Sequence, residues 1–442
     1  MNSENILSKF FKYGVIFFPL LLLVGPLVSE LFLISIIIFF LFQIIKEKNF
    51  IFYKNKFLIF FLLFYISTVY STLLNFYHLD NTIGAIFYFR IPLFAFSIWF
   101  ILEKFDLFNK KIITLYILFF LSLISDSFLQ FYSGKNILGN EILFNRISSF
   151  FGDELILGSF LVKILPIFLV YLAMNDVFVS NKEKGNFVYI LIVSLVCFVI
   201  FLSGERTSFF SLILFFLTLY FISKHLRKFI LFTFSIFLIL LVTSSVLPTK
   251  INPGHRMFVQ TYNQVIGKNI TNKKDEGTFE NYKKKFLNKF YIFSHDHQGH
   301  YMLSYKIFKD YPLAGTGIKG FRYLCRNQIY ILENNDGCST HPHNIYVQIL
   351  VSNGLIGFFL IIFVFFYILK EIFLSRKKIN YQSEFNKDET SKAILIASIF
   401  VNFWPLIPSG NFFNNWLSMI YFYPIGFYLY FKHKTKIIKN LK

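Results

Sequence analysis

From Phe10 to Ile45 the sequence is largely apolar, with a break at Gly25-Pro26. That run is roughly twice the ~20 residues one helix needs to cross a bilayer, and a water-soluble core has no use for a stretch of such length. It reads as two spanning helices, and no small-residue cleavage site marks it as a removed signal peptide. The same pattern recurs along the chain. Windows of ~20 apolar residues place about twelve spans, near 10–26, 29–45, 56–76, 84–102, 111–131, 154–174, 187–203, 207–222, 228–247, 345–369, 393–408 and 415–431. A composition 55% hydrophobic and 21% aromatic fits this reading, as does a mean hydropathy of +0.57. The expected fold is therefore an all-α polytopic membrane protein of about twelve transmembrane helices.

Charge supplies the orientation. A formal net charge of +20 would point to nucleic acid in a soluble protein. Here the lysines crowd into alternate short segments such as "KEKNFIFYKNK", "EKFDLFNKK", "SKHLRK" and "FKHKTKIIKNLK", whereas the segments around Gly25-Pro26, Asn75–Asn81 and Pro405–Asn415 hold no Lys or Arg. The positive-inside rule then puts both termini in the cytoplasm, and no nucleic-acid partner is expected. One outside segment is far longer than the rest. The expected division is 1–131 for the first five spans, 132–247 for spans six to nine with their outer arginine turns, 248–344 for one large periplasmic loop, and 345–442 for the last three spans and a cytoplasmic end. Cys325 and Cys338 both fall in the loop, in an oxidising compartment, so a disulfide is expected there, ending three residues before His341.

Polar residues gather at the outer surface. In "CSTHPHNIYVQILVSNGLIG" a polar loop enters an apolar helix at His343 and Asn344. Asn344 is placed to cap that helix, and Asn344, Gln348 and Ser352 share one face, with Asn353 beside them, either lining a cavity or bonding neighbouring helices. Gly354 and Gly357 would admit a close neighbouring helix. "SGERTSFF" puts Glu205 and Arg206 in a tight outer turn, and "NRISSFFGDELILGSFL" puts Arg146 before span six. Arg90, Asp126 and Lys163 lie inside spans, where a structural ion pair and a functional charge are equally good readings. Arginine presents planar, permanently charged donors that match phosphate and stabilise a departing pyrophosphate; histidine accepts a proton from a sugar hydroxyl near neutral pH. The sequence contains no HExxH, CxxC pair or Walker loop, so no metal site or cofactor is expected.

These segments carry a family resemblance. "HNIYVQILVSNGLIG", with His343-Asn344, nine residues and then Gly354-Leu-Ile-Gly357, resembles the signature that closes the large periplasmic loop in the O-antigen ligase and polymerase superfamily. "SGERTSFF" and "NRISSFFGDELILGSFL" resemble its two arginine-bearing entries into spans, and "YPLAGTGIKGF" is similar to its Pro, GxG, Phe segment before the histidine. The resemblance covers roughly residues 120 to 370. It implies a GT-C-like glycosyltransferase of the bacterial inner membrane with a periplasmic active site. The donor it implies is an undecaprenyl pyrophosphate-linked glycan, and the acceptor is a lipid A core or a lipid-linked repeat. It assigns pyrophosphate binding to Arg146 and Arg206, proton abstraction to His343, and orientation of His343 or the acceptor to Asn344. Arg256, in "INPGHRMF", is a further phosphate candidate. Arg90, Glu205 and His341 complete the substrate-contact candidates, while His297 and His300 stay loop residues open to the acceptor. The "IGKNITNKKDEG" insertion matches no part of the pattern.

Ligase and polymerase share these motifs, with the ligase signature the nearer of the two; a protein O-oligosaccharyltransferase uses the same chemistry. From another class, a flippase or secondary transporter also suits twelve spans, but it would concentrate polar residues at the bilayer midplane. Here they collect at the outer surface.

Overall fold

The computed structural model describes residues 6–75, 79–179, 183–246, 251–265, 293–331, 337–381 and 384–440. The "IGKNITNKKDEG" insertion lies outside them. Eleven helices precede the long loop: α1 (Ile6–Ile16), α2 (Phe18–Val24), α3 (Pro26–Glu47), α4 (Lys56–Leu74), α5 (Leu79–Ile86), α6 (Arg90–Lys104), α7 (Lys110–Ser133), α8 (Leu157–Met174), α9 (Glu183–Leu202), α10 (Arg206–Ile222) and α11 (Arg227–Val246). The described part of the loop holds α12 (Gln260–Val265), α13 (His295–Asp310) and α14 (Gly320–Leu324), and the chain ends with α15 (Ile345–Tyr381), α16 (Lys387–Asn402) and α17 (Asn415–Asn440).

Local chemistry sets the ends of these helices. Pro lies in the first turn of α2 and α3, where its missing N–H costs nothing. Asn55, Asn109 and Asn386 cap α4, α7 and α16 through side-chain oxygens that accept backbone N–H bonds. Every expected span window overlaps a helix. By length and apolarity, seven of the described helical segments qualify as spans, or eight if α1 and α2, bent by 73°, count as one. Residues 186–202 and 206–222 form shorter apolar helices.

Burial sorts the bundle into inner and outer members. In α8, 83% of the apolar window is buried, against 28% in the segment that contains α11. The outer faces of α4 and α11 present Ile59, Leu62, Ile66, Leu231, Leu238 and Ile239, as lipid-facing helices do. At the end of α15 remote from His343, charges pair between helices: Lys378 with Glu389, Lys432 with Glu371, and Lys434 with Asp388.

The feature that most shapes the His343 end of the bundle is a break in α15. Gly354 adopts φ 62° and ψ −160°, a conformation essentially confined to glycine. A broken helix in an apolar setting must find partners for its freed backbone groups, and the loop segment Pro312–Gly317 supplies them. Thr316 N donates to Val351 O at 2.8 Å and Gly317 N to Ser352 O at 2.9 Å; on the other side of the break, Leu355 N donates to Pro312 O at 2.8 Å. From α4, Ser71 Oγ donates to Ser352 O at 2.5 Å and Asn75 Nδ2 to Gly315 O at 2.9 Å. A Cβ on Gly315 or Gly354 would run into the opposing backbone. The glycine expected to admit a neighbouring helix thus admits an extended loop instead.

The polar stripe of α15 bonds its neighbours. Gln348 Nε2 donates to Asn411 Oδ1 at 2.6 Å, and Asn353 Nδ2 donates to Thr68 Oγ1 at 2.8 Å. Of the two readings of the stripe, interhelical bonding is the one these contacts express.

Candidate active site

His343 occupies the junction between loop and helix in a left-handed conformation, φ 57°, uncommon for a residue with a side chain and frequent at functional sites. Two contacts fix it there. Its carbonyl accepts from Ser409 N at 2.8 Å. The next residue, Asn344, accepts from Tyr346 N at 3.0 Å and Val347 N at 3.2 Å as the helix cap, and its amide donates to Pro405 O at 2.7 Å. Asn344 therefore anchors the histidine segment to the connector between α16 and α17, and its own side chain is spent on that task.

Three more imidazoles surround His343. Ring centroids lie 4.0 Å away for His341, 5.1 Å for His300 and 5.6 Å for His297. His297 and His300, three residues apart on α13, project from one face of that helix. Burial first, then the three neighbouring rings, pushes the His343 pKa down to about 3. His341 is pushed down to about 4, chiefly by burial, and burial followed by His300 lowers His297. Neutral imidazoles are the form that accepts a proton. The tautomer of His300 follows from its partner: Nδ1 lies 3.0 Å from Gly337 O, a carbonyl can only accept, so Nδ1 carries the hydrogen. Although four histidines converge, no group of three or more His, Cys, Asp or Glu among the described residues is arranged to hold a metal ion.

The disulfide between Cys325 and Cys338, with Cα atoms 5.1 Å apart, joins the end of α14 to this segment. Gly337, the acceptor for His300, immediately precedes Cys338. The crosslink therefore ties the histidine strand and the α13 face to a common point.

A second set of charges assembles at the α9–α10 turn. Asp126 and Gln130 on α7 fold the loop that delivers Arg146: Ile137 N donates to Asp126 at 2.9 Å, Ser149 Oγ to Asp126 at 2.5 Å, and Ser148 N to Gln130 at 2.9 Å. Arg146 then donates through Nη2 to Leu155 O at 2.6 Å and through Nε to Ser203 O at 3.3 Å, and it lies 3.7 Å from the carboxylate of Glu205. Arg256 reaches the same turn from the long loop and donates to Gly204 O at 2.9 Å. A Cβ on Gly204, whose φ is +68°, would crowd both arginine stems. Burial, then the like charges of Arg256 and Arg206, lowers the Arg146 pKa against the opposing pull of Glu205, yet a guanidinium stays charged.

The two sets adjoin each other. Arg206 is among the charges acting on His297, and it also acts on Arg146, so one guanidinium is within electrostatic reach of both the arginine corner and the histidine cluster.

Residues 191–362 match the family model described as O-antigen ligase. That match supports the O-antigen ligase and polymerase superfamily for this segment of the chain. No curated protein sequence matches the chain. The matched segment contains Arg206, Arg256, His297, His300, His341 and His343, and leaves Arg146 outside it, so the fold adds Arg146 to the ligase-domain residues from a separate loop.

Other expected site residues have different tasks. Arg90 pairs with Glu30 at 2.6 Å and donates to Phe87 O at 2.7 Å, contacts that belong to the N-terminal helices and not to the arginine corner. Glu205 is buried and accepts from Gly158 N at 2.7 Å, Ser159 N at 3.1 Å and Ser208 Oγ at 2.8 Å; it caps α8 from across the bundle, which makes it an organiser of the corner. Lys163 donates to Ser159 O at 3.1 Å and lies over the Tyr421 ring at 5.5 Å. Sequence reasoning left His297 and His300 as loop residues. The signal that marks them is their three-residue spacing in "HDHQGH", which only a helix assignment over α13 makes meaningful.

Proposed function

We propose that this protein is a glycosyltransferase of the outer face of the bacterial inner membrane, moving a glycan from an undecaprenyl pyrophosphate-linked donor to an acceptor hydroxyl in surface-polysaccharide assembly. The observation that carries this reading is the gathering of three other imidazoles around His343 and of arginines at the α9–α10 turn, with the charge of Arg206 acting on both sets. The large outer loop, the twelve-span count and cytoplasmic termini belong to the same reading, supported by the lysine bias of the alternate connections.

Arg146, Arg206 and Arg256 hold the donor pyrophosphate. Two of them are already fixed to backbone carbonyls, so they meet the anion with little reorganisation. A neutral His343 takes the proton of the acceptor hydroxyl as its oxygen bonds to the donor sugar's anomeric carbon. The bond from that carbon to the pyrophosphate oxygen breaks, and the electron pair leaves with the lipid-linked pyrophosphate, where the arginines stabilise the growing negative charge. The acceptor arrives from water and the donor from the bilayer, and the loop-to-helix junction is where the two phases meet.

The test is a surface-glycan gel with parallel extraction of lipid-linked intermediates from cells whose only copy carries His343→Ala. Full-length glycan accumulating on the lipid carrier while the acceptor stays bare indicates a ligase. An acceptor that carries a single repeat indicates a polymerase. An unchanged glycan profile removes His343 from the chemistry and overturns the reading.

A further inference from the structure

Arg322 lies on α14, a short helix whose apolar residues Phe321, Leu324 and Cys325 pack with Leu303, Ile307, Tyr330 and Val351 into a small core beside the main bundle. Arg322 is half-buried one turn before Cys325, whose disulfide partner Cys338 starts the segment that carries His341, and its charge acts on His341. Its Nε is buried and has no hydrogen-bond partner among the described residues. The contrast with Arg146 and Arg256, each bound to backbone carbonyls, is direct. An Nε–H is always a donor, and a buried donor left unpaired is costly. His341, 9% exposed, has Nδ1 2.9 Å from Thr340 Oγ1, while its buried Nε2 has no partner in hydrogen-bond geometry among the described residues and the Ser409 backbone acts on the ring. Among the described residues acting on His297, His341 and His343, Asp296 is the only carboxylate, set against Arg206 and Arg322. On this side of the cluster two buried nitrogens therefore lack acceptors among the described residues.

We infer that Arg322 and His341 form an oxyanion subsite that selects an acceptor bearing a phosphate or carboxylate. This deepens the proposed function and rests on it for the word acceptor, though not for the binding itself. Arg322 supplies Nε–H and its terminal N–H groups to one oxyanion, the forked geometry for which arginine is suited. His341 supplies a further hydrogen bond. The oxyanion has two sources with one chemistry: a substituent on the acceptor sugar, or the pyrophosphate linker of an acceptor that is itself lipid-linked. Arg322 is a specificity residue in this scheme, since it holds the acceptor and takes no part in bond making.

Binding comes first. Purified full-length protein in neutral-lipid nanodiscs is titrated with a hexose 1-phosphate, a hexuronic acid and the free hexose, with thermal stabilisation as the readout. The charged sugars stabilise the wild type and the free hexose does not. Arg322→Gln weakens them roughly tenfold or more, Arg322→Lys recovers part of the loss, and Arg326→Gln, at an exposed neighbouring arginine, leaves them unchanged. Equal binding by Arg322→Gln and wild type overturns the subsite, as does a loss in Arg146→Gln that matches it, because the sugar phosphate would then be occupying the donor arginines.

Transfer assays separate the sources. With one donor, the acceptors are a neutral glycan, the same glycan bearing a phosphate or hexuronate, and a lipid pyrophosphate-linked repeat. A KM raised by Arg322→Gln only for the substituted glycan assigns the oxyanion to the sugar, and one raised only for the lipid-linked repeat assigns it to the linker. An equal rise for the neutral glycan overturns the proposal. If the wild type transfers to none of them, the glycosyltransferase reading fails, and the binding titration still decides the subsite.

Discussion

The arginine corner and the histidine cluster adjoin, yet they are built by opposite means. The corner is made at helix ends. Glu205 caps α8, Arg146 reaches two carbonyls and Arg256 a third, so the guanidiniums are fixed before any ligand arrives. The cluster is made in a loop, from pairs of residues some forty positions apart that a disulfide, a carbonyl bond to His300 and the Ser409 contact draw together. Permanent charge suits the first, because it must hold an anion whatever the pH. Neutral, crowded imidazoles suit the second, because a base must start without its proton.

Removing His343 is the sharpest way to test that division. For His343→Ala the expected outcome is a fall of about 10²–10⁴ in transfer rate, the range for a lost general base, with donor binding preserved. Single-turnover transfer and donor binding, measured on the same preparation, check it. If donor affinity falls along with the rate, the two regions are one site, and the division of labour is wrong.

Arg206→Ala comes next, at about 10²–10³ in rate, the size seen when one donor to a developing charge is deleted. Because the charge of Arg206 acts on both regions, the donor KM rises as well. Arg256→Ala should show the smaller effect, since the Arg256 Nε is already bound to Gly204 O. The comparison fails if Arg256→Ala proves the more damaging.

Much of this was legible in the sequence, and unevenly so. The spans follow from hydropathy, and the entry of His343-Asn344 into a helix follows from an asparagine ahead of an apolar run. The loop's tertiary contacts do not, because nothing in "HDHQGH" says which residues its helix will face, and His297 and His300 acquire meaning only when α13 lies beside the junction. Arg90 shows the converse. A charge within a span is a functional candidate by default, and its partner Glu30 lies on a helix sixty positions earlier, so the pairing is invisible until α3 and α6 pack. Glu205 stands beside Arg206 in the sequence and reads as a substrate contact, but the turn directs its carboxylate inward to α8.

Gly354→Ala probes what the two regions share. The break in α15 holds the Pro312–Gly317 segment, and that segment leads through α14 to the disulfide and the histidines. A side chain at Gly354 would clash with Leu313 O and force a glycine-only conformation on alanine, at a cost of about 1–3 kcal/mol for the strain alone. The expected outcome is a lower thermal midpoint, with residual activity that falls through kcat while the donor KM holds. A change in donor KM without a change in kcat would mean that the break supports the arginine corner instead.

The smallest expected effect is also the one that tests crowding itself. His343 and His341 have native pKa values near 3 and 4, below the ordinary histidine value. Protonation is then easier in the unfolded chain than in the native one, so the contribution of these rings to stability is complete above about pH 6.5 and is lost as pH falls from there towards 4 and 3. Activity has the same sign. Neutral His343 persists well below the usual histidine midpoint, so the acid limb of kcat/KM, which reports the free enzyme, lies well under pH 6.5. His341→Ala removes the neighbour with the largest effect after burial and moves that limb upward by about one pH unit or less, whereas Arg146→Gln, on the far side of the corner, leaves it in place. A wild-type limb at the ordinary histidine value would mean that the base is not crowded, and a limb that ignored His341 while following Arg146 would assign the titration to the arginine side of the border.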